Sequence, residues 1–294
     1  MSDALSIVVT HHRAQAVLKI CLAHLTQFAP KAQIIVVNSG EDDTLEMLTQ
    51  LYPEVKGVQV PSYSYGSVVN AGIKLCTTPY ILQMNADVYI KENTLQDLLS
   101  VLQQKEVGVV GPRCFDAQGH LQRQGLLYQR YYALLSLTRA RALPVTWLSG
   151  CCQMFKREVL EEVGGFDASY RFYNEDLDWC TRIRNAGWRC ELVRSDVTHL
   201  GGSATPSDPK FIIEGYRGGM VFARRYRPRW FQRWQRIVVL LEARLKAGSK
   251  DEVVRQAYRQ ILEMFGREAY DESPFGATLN TENPSFLKQS AEGS

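Results

Sequence analysis

Between residues 5 and 112 short apolar runs alternate with segments of helical period, and that rhythm restricts the chain more than any single motif does. LSIVVT (5–10), AQIIVVN (32–38), VKGVQVP (55–61), YILQMNADV (80–88) and VGVVGP (107–112) are short and rich in β-branched residues, the signature of strands. Between them AVLKICLAHLTQF (16–28), DTLEMLTQLY (43–52), GSVVNAGIKLC (66–76) and residues 94–104 place apolar side chains at helical spacing. Strand and helix taken in turn predict an α/β fold, a mainly parallel central sheet flanked by helices.

The rhythm then changes. RCFDAQGHLQRQGLLY (113–128) has a glycine-containing turn between alternating segments and predicts a hairpin. VTWLSGCCQMFKREVLEEVGGF (145–166) predicts a strand running into a short helix that Gly164 and Gly165 end. RCELVRSDVTHLGGSA (189–204) predicts a strand ending in a glycine-rich loop, and beyond 206 the chain turns helical, DEVVRQAYRQILEMFG (251–266) carrying one apolar face. After Tyr270 the sequence is polar. The expected organisation is an α/β domain over 1–205, a basic and aromatic helical extension over 206–270, and a disordered tail over 271–294.

Bulk properties exclude several classes. A net charge of +3 and no recognised module give no support to nucleic-acid binding. Seven cysteines, an odd number without C-x-x-C spacing, argue against a disulfide framework or a zinc site and for buried thiols in a reducing compartment. Neither a secretory leader nor a run of about 18 apolar residues is present, so a cytoplasmic protein is expected.

In parallel α/β sheets ligands bind outside the carboxyl ends of the strands. The segments there are THHR (10–13), NSGEDD (38–43), NAD (85–87) and HLGGS (199–203). No G-x-G-x-x-G follows the first strand and no P-loop occurs. Asp87 is either half of a turn-forming pair or a cation ligand, and His199 either structural or a metal ligand; together they suit Mn²⁺ better than Ca²⁺. YNEDLDWCTRIRNAGW (173–188) sets Glu175, Asp176 and Asp178 just ahead of a helix. Acids are favoured there by the helix dipole, and one of them could equally be a catalytic base.

In their order and spacing, IVVTHHR, NAG (70–72), NADV, GPRCFDAQGHLQ, WLSGCCQMFKRE, VGGFD, YNEDLDWCTRIRNAGW and THLGGSA resemble the inverting nucleotide-sugar glycosyltransferases of the second sequence family, near its rhamnosyltransferase-like branch. The likeness spans roughly residues 5 to 225. It implies a GT-A fold and transfer of a sugar, rhamnose from dTDP-rhamnose or else a UDP-hexose, to a hydroxyl acceptor such as a lipid-linked or surface glycan. It places Asp87 and His199 at a divalent metal, Mn²⁺ or Mg²⁺, and makes Asp176 the general base with Glu175 beside it. Asp178 then keeps the structural role. Thr10, Arg13, Asn70 and Asn85 fall on the donor side, and Trp147 and Gly150 on the acceptor side.

Two departures stand out. His11-His12 replaces the usual Tyr-Asn, and the second strand ends in Asn38 rather than a carboxylate, leaving Asn38 or Asp42 to recognise the base. They leave open a catalytically silent, glycan- or partner-binding homologue. A nucleotidyltransferase is excluded because THHRAQAV lacks the glycine-rich loop it would need. From 217 to 246 nine basic residues face one acid, Glu242, with Trp230, Phe231 and Trp234 interleaved. The stretch reads either as a solvated helix face or as peripheral contact with the anionic inner face of a membrane.

Overall fold

A computed structural model describes residues 4–61, 64–122, 126–201 and 207–276, the side chains of 126–128 excepted. The first half alternates as the periodicity predicts: β1 (Leu5–His11), α1 (Gln15–Phe28), β2 (Gln33–Asn38), α2 (Thr44–Leu51), β3 (Lys56–Gln59), α3 (Tyr65–Ile73), β4 (Tyr80–Asn85), β5 (Val88–Tyr89), α4 (Thr94–Leu102) and β6 (Val107–Phe115). After α5 (Leu126–Leu137) and β7 (Ala142–Val145) come β8 (Cys152–Lys156), α6 (Arg157–Val163), α7 (Glu175–Asn185) and β9 (Arg189–His199). Three helices follow, α8 (Pro209–Tyr226), α9 (Arg229–Lys246) and α10 (Glu252–Arg267).

The strands form one sheet in the order β3-β2-β1-β4-β8-β6-β9-β5, with β7 also paired to β9. Pairing is parallel from β3 to β4 and between β6 and β9, while β8 runs antiparallel between β4 and β6. Both faces are covered, which is why the strands read as continuous apolar runs. Along β1, Ile7 and Val9 pack with Leu18, Leu22, Leu98 and Leu102 on one face. Val8 packs with Val69, Phe155 and Trp179 on the other. The ends of β1, β2, β4 and β9 therefore collect at one edge of the sheet. There β5 pairs antiparallel with the last residues of β9, Val88 opposite His199, which sets Asp87 beside that histidine.

The expected hairpin over 113–128 is confined to 114–122, where the Asp116 N–H donates to the His120 carbonyl and the Gln122 N–H to the Cys114 carbonyl, both at 2.9 Å, around a turn at Gly119 with φ 81°. Leu121 meets Phe115 only as an isolated bridge, and the chain enters α5 at Leu126. Tyr132 and Leu135 are buried at helical spacing, and the Tyr132 hydroxyl accepts a hydrogen bond from the Cys114 N–H at 3.3 Å. Burial of that face outweighs the short alternation seen in the sequence. All seven cysteines are buried and unbridged.

The C-terminal helices have their own core, including Met220, Ala243, Ile261 and Phe265. Asp208 and Asp251 cap α8 and α10 through the N–H groups of Lys210 and Val254. Residues 271–276 of the expected tail form a turn, and 277–294 lie outside the described residues. An ion pair joins these helices to the sheet domain. Glu214, fully buried, accepts from Arg217 at 2.6 and 2.8 Å, from the Arg171 N–H at 3.1 Å and from the Ser273 hydroxyl at 2.8 Å. Arg217 also donates to the carbonyls of Ser169 and Tyr270. Removing one partner of a buried pair strands the other charge. Arg217→Ala should therefore lower the unfolding free energy by about 3–5 kcal/mol, read from urea denaturation. A loss no larger than that of a surface substitution would show that water reaches the pair.

Candidate active site

A cleft of about 740 Å³ opens at the sheet edge where these strands end. Thr10, His11, His12, Ser39, Asn85 and Asp87 line one side, and Gly150, Arg171, Glu175 and Asp176 another, with His199 also in the wall. The sheet topology thus brings together residues up to 189 positions apart (10 to 199).

The acids reach the cleft through an unusual turn. Tyr173 and Asn174 are consecutive left-handed residues, with φ of 67° and 69°. Asn tolerates that region whereas Tyr rarely adopts it, so the surroundings must hold the turn in place. Asn174 Nδ2 donates to the Gly215 carbonyl at 3.1 Å. Close approach of α8 at Gly218 leaves no room for a side chain, since a Cβ there would lie 2.7 Å from Asn174 Nδ2. Directly after this turn α7 begins, and its first two residues are Glu175 and Asp176.

The three acids occupy three environments. Asp176 accepts from the Gly150 N–H and the Leu177 N–H, both at 2.8 Å. Burial raises its pKa to about 6, against the opposing effect of those bonds and of Trp147. Burial, and then the charge of Asp176, push the Glu175 carboxyl well above the usual carboxylate range. Asp178 faces away. It is fully buried, accepts from Arg182 Nε at 2.8 Å and the Tyr226 hydroxyl at 2.9 Å, and ties α7 to α8.

On the opposite wall His199 Nε2 stands 3.4 Å from Asp87 Oδ1. Gln122 fixes the ring by contacting Nδ1 at 2.7 Å and donating to the His199 carbonyl at 2.6 Å, which leaves Nε2 directed at the carboxylate. Burial opposes the imidazolium, but Cys151 and Asp87 outweigh it and push the pKa up to about 10. No cluster of three or more metal-ligating side chains occurs among the described residues. Asp87 and His199 supply an oxygen and a nitrogen ligand, and Mg²⁺-type sites commonly complete their coordination with substrate phosphates and water. Of the glycine-rich loop, Gly201 is left-handed at φ 67°, and Gly202 lies outside the described residues.

The remaining expected residues divide. Thr10 and Asn85 line the cleft and contact each other at 3.2 Å. Arg13, expected on the donor side, is exposed and left-handed at φ 50° and is not among the residues that line the cleft. Asn38 is fully buried, bonded to His11 at 3.0 Å, Asp42 at 2.8 Å and Gln59 at 3.0 Å, so it and Asp42 brace the loop after β2. Asn70 pins Phe166 through both its backbone N–H and its carbonyl. Trp147 acts on Asp176 from beside it, and Gly150 orients it directly. Sequence reasoning missed Tyr65, whose hydroxyl lies 2.8 Å from Asn85 Oδ1 and 2.7 Å from the Gly150 carbonyl, linking the two walls. It also missed Gln122 and the aromatic rim of Phe172, Phe211 and Phe275, ring centroids 4.9 to 5.0 Å apart. The Ser64–Ser67 capping box ahead of α3 was a legible sign for Tyr65's position, though not for its partners.

Comparison with known proteins agrees with this geometry. The sequence model of glycosyl transferase family 2 matches residues 6–164, more than half of the chain, and the chain belongs to that family. It is similar to the N-acetylglucosaminyl-diphospho-decaprenol L-rhamnosyltransferase of Mycobacterium tuberculosis, 27% identical over 245 residues, covering 71% of this chain and 80% of that protein. S. aureus TarS in complex with UDP shares its fold at a TM-score of 0.54 and 16% identity, over 91% of this chain and 72% of that one. A mannosyltransferase from Pyrobaculum calidifontis in complex with GDP-Man and Mn²⁺ does so at 0.55 and 16%, over 91% and 85%. The α/β fold is GT-A, and the chain is a rhamnosyltransferase-like nucleotide-sugar glycosyltransferase.

If Asp176 must be ionised to accept a proton, kcat/KM should rise with pH through an apparent pKa near 6 and level off above it. Because the folded-state pKa is raised, ionising Asp176 costs stability as pH rises, so Asp176→Asn should not destabilise the protein at neutral pH. That variant should lose on the order of 10²–10⁴-fold in transfer rate and keep donor affinity. A pH profile flat through 6, or full activity in the variant, would remove Asp176 as the base.

Proposed function

We propose that this member of glycosyl transferase family 2 is an inverting transferase that moves rhamnose from dTDP-rhamnose, or else a hexose from its UDP donor, to a hydroxyl of a lipid-linked or surface glycan. The observation that carries the reading is one cleft with Asp176, tuned to about 6 and held by the Gly150 N–H, on one wall, and the buried Asp87–His199 pair on another. Similarity to a relative named for a diphospho-decaprenol acceptor supports a lipid-linked one. Donor synthesis in the cytoplasm would place transfer at the inner face of the membrane.

Asp176 takes the proton of the acceptor hydroxyl, whose oxygen then forms its bond to the anomeric carbon. The bond to the nucleoside diphosphate breaks on the opposite side, its electron pair leaves with the diphosphate, and a single displacement inverts the centre. Glu175, pushed above the usual carboxylate range by its burial and by the Asp176 charge, lines the cleft beside Asp176 and orients the acceptor. Tyr65, whose phenol burial keeps protonated, holds the Asn85 and Gly150 walls at fixed spacing. The aromatic rim of Phe172, Phe211 and Phe275 offers apolar ring faces for an acceptor sugar.

Asp87 and His199 suit Mn²⁺ or Mg²⁺, because a buried carboxylate and a ring nitrogen oriented by Gln122 stand 3.4 Å apart. Such an ion, when bound, stabilises the negative charge that grows on the departing diphosphate. On the nucleotide side His11, His12 and Ser39 line the cleft, so base recognition passes to them while Asn38 braces the loop from behind.

The test is thermal unfolding with UDP, dTDP, GDP and CDP, each with and without Mn²⁺. A ligand at about 100 times its Kd adds about 2.7 kcal/mol of stability, so the matching nucleotide should raise Tm by several degrees. The Mn²⁺-dependent part of that rise should vanish in Asp87→Ala. A rise with no nucleotide, together with no transfer, would favour a silent binding homologue.

A further inference from the structure

The stretch over 217–246 that reads as uniformly basic is divided by the fold. Arg217 is buried with Glu214. Arg225 pairs with Asp167 and Asp178, Arg224 with Glu268 and Asp271, and Arg236 with Glu268. The exposed cations left without an ion pair among the described residues include Arg229, Arg233 and Arg244, all on α9.

Beside them α9 exposes Trp230 at 68%, Trp234 at 55%, Ile237 at 58%, Val238 at 40%, Leu241 at 54% and Leu245 at 83%. At 3.6 residues per turn these six fall within about 100° of arc, and the three arginines occupy roughly the adjoining 60°. Val239 and Ala243, on the opposite side, carry the helix's packing against α8 and α10. A continuous apolar stripe of that size does not persist uncovered without a use. Its acid content is one residue, Glu242, already paired with Lys246 at 2.7 Å. Tryptophan and leucine bordered by arginine match an interfacial helix lying in the plane of an anionic bilayer. No described helix is long and apolar enough to cross a membrane, so contact through α9 would be peripheral.

A second feature sets the direction. A groove of about 560 Å³ runs between α8 and α9, lined near α9 by Gln235 and Val239. At its other end it is lined by Tyr173, Asp208 and Phe211, which also line the catalytic cleft. The side of α9 turned away from the exposed stripe is therefore continuous with the rim beside Asp176.

We propose that the Trp230–Leu245 face of α9 docks the enzyme on an anionic lipid bilayer, with the packed side of α9 and the groove along it turned toward the cleft. This rests on the lipid-linked acceptor proposed above for its purpose, but not for its measurement. Cosedimentation of the full chain with phosphatidylcholine vesicles, with and without about one third phosphatidylglycerol, tests it directly.

Binding should require phosphatidylglycerol and weaken with salt. Neutralising the arginines (Arg229→Gln, Arg233→Gln, Arg244→Gln) should reduce partitioning on the order of 100-fold, since each cation near the surface accounts for about fivefold. Trp230→Ala with Trp234→Ala should reduce it at least tenfold. All these side chains are exposed, so Tm and transfer to a water-soluble acceptor should stay unchanged in both variants. Binding that survives both sets, or none by the parent protein, would overturn the proposal. So would a solution dimer abolished by the tryptophan changes, which would make α9 a contact between copies. If the parent protein lacks transfer to the soluble acceptor, the catalytic reading fails while the vesicle result stands on its own.

Discussion

The buried Glu214–Arg217 pair is the interaction on which the catalytic geometry depends. An isolated charge in such a place is strongly disfavoured, so each lone pair and proton must find a partner. The partners found are backbone groups of Ser169, Arg171 and Tyr270 and the hydroxyl of Ser273. Satisfying the pair therefore immobilises the segment that ends in Glu175 and Asp176. The Arg171 carbonyl in turn accepts from the Tyr65 N–H at 3.0 Å, passing the constraint to α3 and the donor wall. The C-terminal helices thus act as the clamp that holds Asp176 in the wall of the cleft.

Burial does the chemical tuning. Glu175, Asp176 and Asp178 lie within four positions at one helix start, yet each behaves differently. Asp178 has arginine and tyrosine donors and serves as a tether. Glu175 has a desolvated carboxyl next to another acid, and both push its pKa upward. Asp176, desolvated but held by N–H groups, titrates near neutrality, where a base is most effective. The helix dipole favours all three alike, so it cannot be what separates them.

Much of the site was legible. Only the family resemblance separates Asp176 from Glu175 and Asp178, whereas Asp87 and His199 stand out because they follow strands, whose parallelism carries such positions to one edge. Thr10 and Asn85 line the cleft for the same reason. Asn38 ends β2 and Asn70 lies within α3, but their side chains face groups of His11, Gln59 and Phe166 that only folding brings near. Tyr65 and Gln122 left no sequence signal of their own, because their roles depend on atoms 85 and 77 positions away. The hairpin expected over 113–128 is confined to 114–122, because from Leu126 onward a helix face that can be buried prevails over short alternation.

The sequence by itself determined the layering and the carboxyl-edge site, since strand and helix periods are local and β-strand ends are countable along the chain. It also determined which residue types could hold a cation or take a proton. Tertiary structure alone decided which of three adjacent acids is desolvated and which of nine basic residues remain at the surface. Both outcomes turn on distances between residues far apart in sequence, and electrostatic energy depends on those distances and on burial, neither of which a linear pattern encodes.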